Sequence, residues 1–235
     1  METYKKLPLV NPYPFFYSKK SNDYLDMEDH LGKVDNYNKF ISLWDKNLSV
    51  TGPLKNKIKR SREYKTWQKI YNGLSRSSLI DGYRCDGFPK LLWSDLIKEI
   101  NDNRYHLSPN QTIFHGGYWP TTGIPTVGEK FSLNRPLSTT LNPDSALWHS
   151  KSDYDEEDRY RTYISLIILH VANDSNFCVH VYDNEKNENE MEVLIVPNAT
   201  IQCQSITPIQ LYIDPNFSKE NKDELTCYLI ESTIR

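Results

Sequence analysis

The order of the predicted elements indicates an α+β fold: helical patterns occupy the first part of the chain, strand patterns the second, and the two do not alternate. Three apolar periodicities carry the helical part. Phe40, Ile41, Leu43, Trp44 and Leu48 recur at helical spacing, as do Tyr64, Trp67, Tyr71 and Leu74, and then Leu92, Leu96, Ile97 and Ile100. Pro89 suits the first turn of the third helix, where its missing N–H would have no partner in any case. Apolar runs then predict strands near 111–115, 137–140, 162–171, 177–182, 191–197, 200–213 and 225–234. Residues 1–30 show little periodicity and read as an N-terminal arm. The expected organisation is that arm followed by a single domain over 31–235, helical over about 31–105 and strand-rich over about 106–235. No internal repeat is visible.

Composition agrees with one domain. A chain of 235 residues can bury a substantial core. Its 38% apolar and 25% charged residues are those of a globular protein, and a net charge of −3 gives no global pull towards nucleic acid or membrane. Cys85, Cys178, Cys203 and Cys227 are widely spaced without a Cys-x-x-Cys pair, which indicates neither a zinc site nor a disulfide framework. A reducing, cytoplasmic compartment is the simplest expectation. Pro8, Pro12 and Pro14 interrupt the amino-terminal stretch and argue against a secretion signal, although signal-less export stays open. The longest aliphatic run, Ile164 to Leu169, is too short to span a bilayer.

The chemistry concentrates in three stretches, each an apolar strand-like run with a group able to hold or activate a ligand. They are Ile113-Phe114-His115-Gly116-Gly117, Pro136-Leu137-Ser138-Thr139-Thr140, and Glu190-Met191-Glu192 leading into Val193 to Pro197. In an extended chain Glu190 and Glu192 point to one face and Met191 to the other. Two carboxylates on one face take different roles when their surroundings differ. Glu192 abuts the apolar run and is expected to be held and poorly solvated; Glu190 ends the polar loop Asp183 to Asn189 and is expected to be more mobile. Taken alone, Glu-x-Glu is an ordinary edge-strand pattern, and Ser-Thr-Thr an ordinary β-branched strand end.

The order aromatic-His-Gly, Ser-Thr-Thr, Glu-x-Glu-Val-Leu-Ile resembles the mono-ADP-ribosyltransferase family over roughly residues 111–200. The resemblance extends to the spacer Gly128-Glu129-Lys130-Phe131 and to Asn142-Pro143-Asp144-Ser145-Ala146, which looks like the family's turn into a helix. It implies the split two-sheet ADP-ribosyltransferase fold with NAD, as co-substrate and without metal, in the cleft between the sheets. It also implies that Glu192 is the catalytic glutamate, touching a ribose hydroxyl and stabilising the cation formed as nicotinamide leaves. Glu190 would then face the acceptor, and Ser138, with Thr139, Thr140 and Phe131, would support the cofactor cleft. His115 departs from the Arg that usually accompanies Glu-x-Glu. A neutral imidazole can bond a ribose hydroxyl, and Gly116 lets backbone approach the nicotinamide closely. An Arg at 115 would instead grip phosphate.

The acceptor stays open between a protein arginine, favoured by Glu190, and a nucleic-acid base, favoured by His115 and a basic segment. In that segment Lys55, Lys57, Lys59, Arg60 and Arg62, with Lys65 and Lys69, surround Tyr64 and Trp67, a composition able to track phosphates and stack bases. The plainer reading is a solvated helix face with its aromatics in the core. The acidic run Asp153, Asp155, Glu156, Glu157 and Asp158 reads as a solvated loop between strands. A small enzyme of this kind resembles a toxin or effector, for which the resemblance implies an antitoxin or inhibitor protein as a partner. The alternative is a catalytically inactive module of the same fold that binds RNA or a partner protein. A triad of Ser138, His115 and Asp144 lacks the Gly-x-Ser-x-Gly elbow. As a glycosidase pair, Glu190 and Glu192 would sit side by side along one strand instead of straddling a bond.

Overall fold

The computed structural model describes residues 5–19, 30–44, 50–73, 78–83, 88–103, 105–117, 123–157, 163–182, 191–212 and 224–235. Its architecture is α+β, with helices covering one long sheet. Helix α1 spans Tyr37–Trp44 and buries Phe40, Ile41 and Leu43; Asn36 caps its start by accepting the Lys39 N–H at 2.9 Å. Helices α2 (Thr51–Arg60) and α3 (Arg62–Gly73) are separated by Ser61 in an extended conformation. That serine serves both neighbours: its hydroxyl donates to the Ile58 carbonyl at 2.8 Å and accepts the Tyr64 N–H at 3.1 Å. Helix α4 is Ser78–Tyr83. A 3₁₀ turn at Lys90–Leu92 follows Pro89 and leads into α5, Trp93–Asn103. Helix α6 runs from Pro143 to Glu157.

The described part of the amino-terminal stretch is packed against this body. Strand β1 (Lys5–Lys6) runs parallel to β4 (Tyr105–His106), and β2 (Phe15–Lys19) forms a hairpin with β3 (His30–Val34). Leu7, Val10, Phe15, Tyr17 and Val34 are buried. Gln111 clasps the segment from the core side: its amide oxygen accepts the Val10 N–H at 2.8 Å and its amide nitrogen donates to the Val10 carbonyl at 3.1 Å.

Eight strands make the main sheet: β5 (Thr112–Gly116), β6 (Lys130–Ser132), β7 (Leu137–Thr140), β8 (Tyr163–Val171), β9 (Val179–Tyr182), β10 (Glu192–Ile195), β11 (Thr200–Tyr212) and β12 (Glu224–Ile234). Their order is β6-β11-β12-β8-β5-β7-β10-β9. Strand β8 is buried along most of its length, as a strand covered on both faces must be. The sheet is close to parting between β5 and β7, which share the single pair Phe114 and Thr140. On either side of that point lie a five-strand half, β6-β11-β12-β8-β5, and a three-strand half, β7-β10-β9.

One ribbon ties the halves together. Residues 130–140 and 192–202 run antiparallel in a single register, with Lys130 opposite Gln202 in one half and Thr140 opposite Glu192 in the other. Between these ends Leu133 donates to the Ala199 carbonyl at 2.9 Å, so pairing continues through the bend. The ribbon therefore turns out of the first half into the second and carries the Ser-Thr-Thr and Glu-Val-Leu-Ile runs with it. The acidic run expected to be a loop is instead the end of α6 as far as Glu157: the helix nucleated at Pro143 continues through it, and Asp158 lies outside the described residues.

Candidate functional site

The alternating faces of β7 sort its three hydroxyls. Thr140 lies opposite Glu192 across the β7–β10 pair, so Ser138, two residues away, shares the face of the Glu192 side chain and reaches it diagonally. The Ser138 hydroxyl donates to Glu192 Oε1 at 2.5 Å. Thr139 points the other way and donates to the Val193 carbonyl at 2.6 Å, locking the pair. Thr140 Oγ1 accepts the Asn142 N–H at 2.9 Å and so shapes the turn into α6. Glu192 opens β10 and is 7% exposed, a carboxylate held at the edge of the core by a hydroxyl from the neighbouring strand.

Opposite this pair, where the sheet halves part, His115 Nδ1 lies 2.7 Å from the Ser138 carbonyl. A carbonyl only accepts, so Nδ1 carries the proton and, in the neutral ring, Nε2 presents a lone pair. Neutrality is favoured: burial of the half-buried ring lowers its pKa, the Ser138 carbonyl raises it, and Arg135 and His149 add to the lowering. Gly116 has a packing reason of its own. A Cβ at this position would collide with the Ala146 carbonyl, so glycine is what lets α6 approach β5. The next residue fixes the helix further: the Gly117 N–H donates to the Ser150 hydroxyl at 2.8 Å, and that hydroxyl donates to the Ser165 carbonyl of β8.

These elements enclose an open cleft of about 160 Å³ whose lining includes His115, Ser138, Glu192, Ser145 and His149. Beside it Tyr83 donates its hydroxyl to the Pro136 carbonyl at 2.8 Å. Burial raises the Tyr83 pKa most; Arg135 lowers it and Glu192 raises it. His149, Tyr83 and Arg135 were not singled out in the sequence. His149 becomes visible only once α6 is known to continue past Ala146, and Tyr83 and Arg135 carry no motif.

The structure brings together His115, Gly116, Ser138, Thr139, Thr140 and Glu192. Phe131 stands apart from them, on β6 opposite Ile201 in the other half of the ribbon. Glu190 lies outside the described residues. Met191 beside it has φ +45°, a left-handed conformation, and its side chain is buried. Strand β10 starts at Glu192, Met191 points into the core as expected, and the face taken by Glu190 lies outside the described residues. Asp144 faces away from Ser138 and His115, accepting from Trp44 Nε1 at 2.7 Å and Thr51 Oγ1 at 3.2 Å. No Ser138-His115-Asp144 relay forms.

Lys55, Lys57, Lys59 and Arg60 are on α2 and Arg62 opens α3; Lys57, Arg60 and Arg62 are exposed. Tyr64 and Trp67 are fully buried, and Trp67 donates to the Pro8 carbonyl at 2.8 Å. The aromatics therefore belong to the core and offer no stacking surface. Among the described residues no group of three or more His, Cys, Asp or Glu could hold a metal, and Cys178, Cys203 and Cys227 are buried free thiols; Cys85 lies outside them. No helix among those residues is long and apolar enough to cross a membrane.

No family model matches the chain, and no curated protein matches it. Solved structures share part of its shape. The enzymatic component C2-I of the C2 toxin from Clostridium botulinum is 14% identical, with a TM-score of 0.47 over 74% of this chain and 47% of its own. Plx2a, an ADP-ribosyltransferase toxin from Paenibacillus larvae, is 14% identical, with a TM-score of 0.42 over 73% of this chain and 92% of its own. The ADP-ribosylating toxin BECa of Clostridium perfringens, solved with NADH, is 17% identical with a TM-score of 0.41, over 86% of this chain and 49% of its own. The chain thus spans about half the length of C2-I and of BECa. At such identities the chemistry has to be read from the chain's own residues.

Proposed function

We propose that the chain is a mono-ADP-ribosyltransferase that transfers ADP-ribose from NAD to a macromolecular acceptor. The observation that carries this reading is the 2.5 Å bond from Ser138 to Glu192, facing a tautomer-fixed His115 across the parting of the sheet. This donor set suits a nicotinamide riboside. Breaking the nicotinamide–ribose bond leaves positive charge on the sugar, and an anion held in advance stabilises that charge in the transition state more than in the ground state. Glu192 is such an anion, oriented by Ser138. With NAD bound, His115 Nε2 would accept from a ribose hydroxyl and the Gly116 backbone would contact the nicotinamide amide.

A macromolecular arginine is the acceptor we favour. Glu190 follows the polar loop and stands next to the cleft in sequence, where a carboxylate would orient a guanidinium and take its proton. The nucleic-acid alternative loses its stacking component with the burial of Tyr64 and Trp67. Phosphate contacts from Lys55, Lys57, Lys59, Arg60 and Arg62 remain as its support. We assign the chain a toxin or effector role, with an inhibitor protein as partner. Incubation with labelled NAD and cell lysate, followed by separate protease and nuclease digestion, tests the reading. Protease-sensitive label that Glu192→Gln abolishes supports it; no label and no nicotinamide release from wild type refutes it.

A further inference from the structure

We infer that a second cavity, walled by the amino-terminal segment, the start of α1 and β5, binds an uncharged planar heterocycle of nucleobase size. The assignment does not depend on the NAD reading above. The cavity measures about 270 Å³, against about 160 Å³ for the cleft, and Phe114 lines both. That volume lies near the lower end of small-molecule sites, which suits a single ring system.

The walls are aromatic and fixed. Tyr37 meets Phe114 edge-on, with ring centroids 6.0 Å apart and planes at 70°, and its hydroxyl donates to Glu231 at 3.0 Å. Tyr13 is the third ring of the lining, on the segment that Gln111 clasps at Val10. Its hydroxyl is buried and has no hydrogen-bond partner among the described residues. Burial and the neighbouring Tyr37 raise its pKa, so it keeps its proton and stays a donor. A buried donor left without an acceptor costs free energy, and a ligand in this cavity would supply one. The rim carries amides. Asn11 Oδ1 accepts the Tyr13 N–H at 3.1 Å and Asn36 Oδ1 accepts the Lys39 N–H at 2.9 Å, so both keep their NH₂ groups to donate. Asn110 has φ +65°, and its side-chain amide has no partner among the described residues. The one charged group of the lining, Asp35, is paired with Lys33 at 2.7 Å, so nothing there calls for a charged ligand. Rings that cover a flat face, and amides that match edges carrying both acceptors and donors, are the chemistry by which proteins hold an unstacked base.

The test is an NMR titration of the full chain with uracil, cytosine and adenine, and with indole as a flat ring that offers no acceptor edge. Wild type is compared with Tyr13→Phe and Asn110→Gly, each shown folded by its melting curve. At least one base is expected to bind wild type saturably, one molecule per chain, and indole more weakly. Tyr13→Phe removes only the hydroxyl. It should bind that base about 3- to 10-fold more weakly, the loss of one hydrogen bond. Without ligand it should melt no lower than wild type, because a hydroxyl with no partner contributes nothing to the fold. Asn110→Gly keeps the left-handed backbone accessible and removes the amide, with a loss of affinity of similar size. Three results overturn the assignment: no base binds wild type, indole binds as well as the bases, or both variants keep wild-type affinity, which would place the bound base elsewhere. A Tyr13→Phe variant that melts well below wild type also overturns it, since the hydroxyl would then be bonded within the fold.

Discussion

Replacing Glu192 by Gln isolates its charge from its shape. The side chain is 7% exposed and accepts from Ser138 at 2.5 Å; the amide oxygen of Gln can accept the same bond, so the β7–β10 pairing should survive and the melting temperature should stay within a few degrees. What disappears is the anion. Losing one preorganised electrostatic partner of a transition state costs about 10²- to 10³-fold in rate, roughly 2.7–4 kcal/mol. Ser138→Ala removes only the donor. A bond to a charged group contributes about 1.5–3 kcal/mol, and because Ser138 is exposed, water replaces part of it, so a loss of about tenfold is expected. If Ser138 acts through Glu192, the two effects do not add: in a Glu192→Gln background, Ser138→Ala costs little more. The assay is initial-rate release of nicotinamide from labelled NAD at saturating concentration, without acceptor. More than a tenth of wild-type activity in folded Glu192→Gln refutes the charge argument, and full additivity in the double variant refutes the coupling.

His115→Ala should raise the KM for NAD several-fold, the loss of a neutral hydrogen bond of about 0.5–1.5 kcal/mol, and Arg at 115 should not restore it; an unchanged KM would return His115 to a purely structural role. Its lowered pKa predicts that the acid limb of activity falls below the ordinary histidine range and moves in His115→Gln. The sign for stability follows: the unfolded ring takes up its proton first, so the contribution of His115 is full above pH ~6.5 and lost as pH drops towards its folded value, read from melting temperature against pH. Gly116→Ala forces a methyl into the Ala146 carbonyl and should cost about 1–3 kcal/mol, a drop of about 3–10 °C for a chain this size, seen by calorimetry. Glu190→Ala should impair transfer to the acceptor more than hydrolysis of NAD; equal losses in the two assays would show that the glutamates do not divide the work. Reversing the charges of Lys57, Arg60 and Arg62 together should leave agmatine modification at wild-type level if the acceptor is an arginine, and should abolish labelling of RNA or DNA if it is a nucleic acid.

The strands of the main sheet are legible where side-chain pattern decides: β5, β7, β8, β11 and β12 fall within about two residues of expectation, β8 as an apolar run buried on both faces and β12 through its alternation of buried and half-buried residues. Strand β6 was missed, since its three residues are exposed or half-buried and carry no periodicity. Helix α2 shows in the sequence only as a basic run, for its two buried residues, Leu54 and Ile58, are outnumbered by lysines. Ser138 and Glu192 were recognisable from their motifs, and the diagonal contact follows from period-two geometry once register is known. What no motif shows is register itself: that Thr140 faces Glu192 depends on pairing across 51 intervening residues. His149 lines the cleft from the second turn of α6, and such placement is set by packing.

The parting of β5 and β7 is where these threads meet. Two strands that share one pair leave backbone groups without a ladder partner beyond it, and buried groups of that kind must bond elsewhere. Here the Ser138 carbonyl takes His115 Nδ1 and the Gly117 N–H takes Ser150, so the opening is held by side chains instead of by sheet. The same substitution that keeps the cleft from closing also fixes the imidazole, presents the Ser138 hydroxyl to Glu192 and seats α6 against Gly116. Among the described residues Met191 has a left-handed backbone, and it immediately precedes the strand that carries Glu192. Met191→Gly should therefore relieve that local cost without filling the space its buried side chain leaves, and the balance decides the sign: a cavity loss of about 2–5 kcal/mol for a buried Met cut back this far outweighs about 1–2 kcal/mol of backbone relief. The variant should melt lower than wild type and lose activity in proportion to the freedom gained by Glu192, measured as a fall in kcat with KM for NAD nearly unchanged. A variant more stable than wild type would show that the strain at 191 exceeds the packing that imposes it.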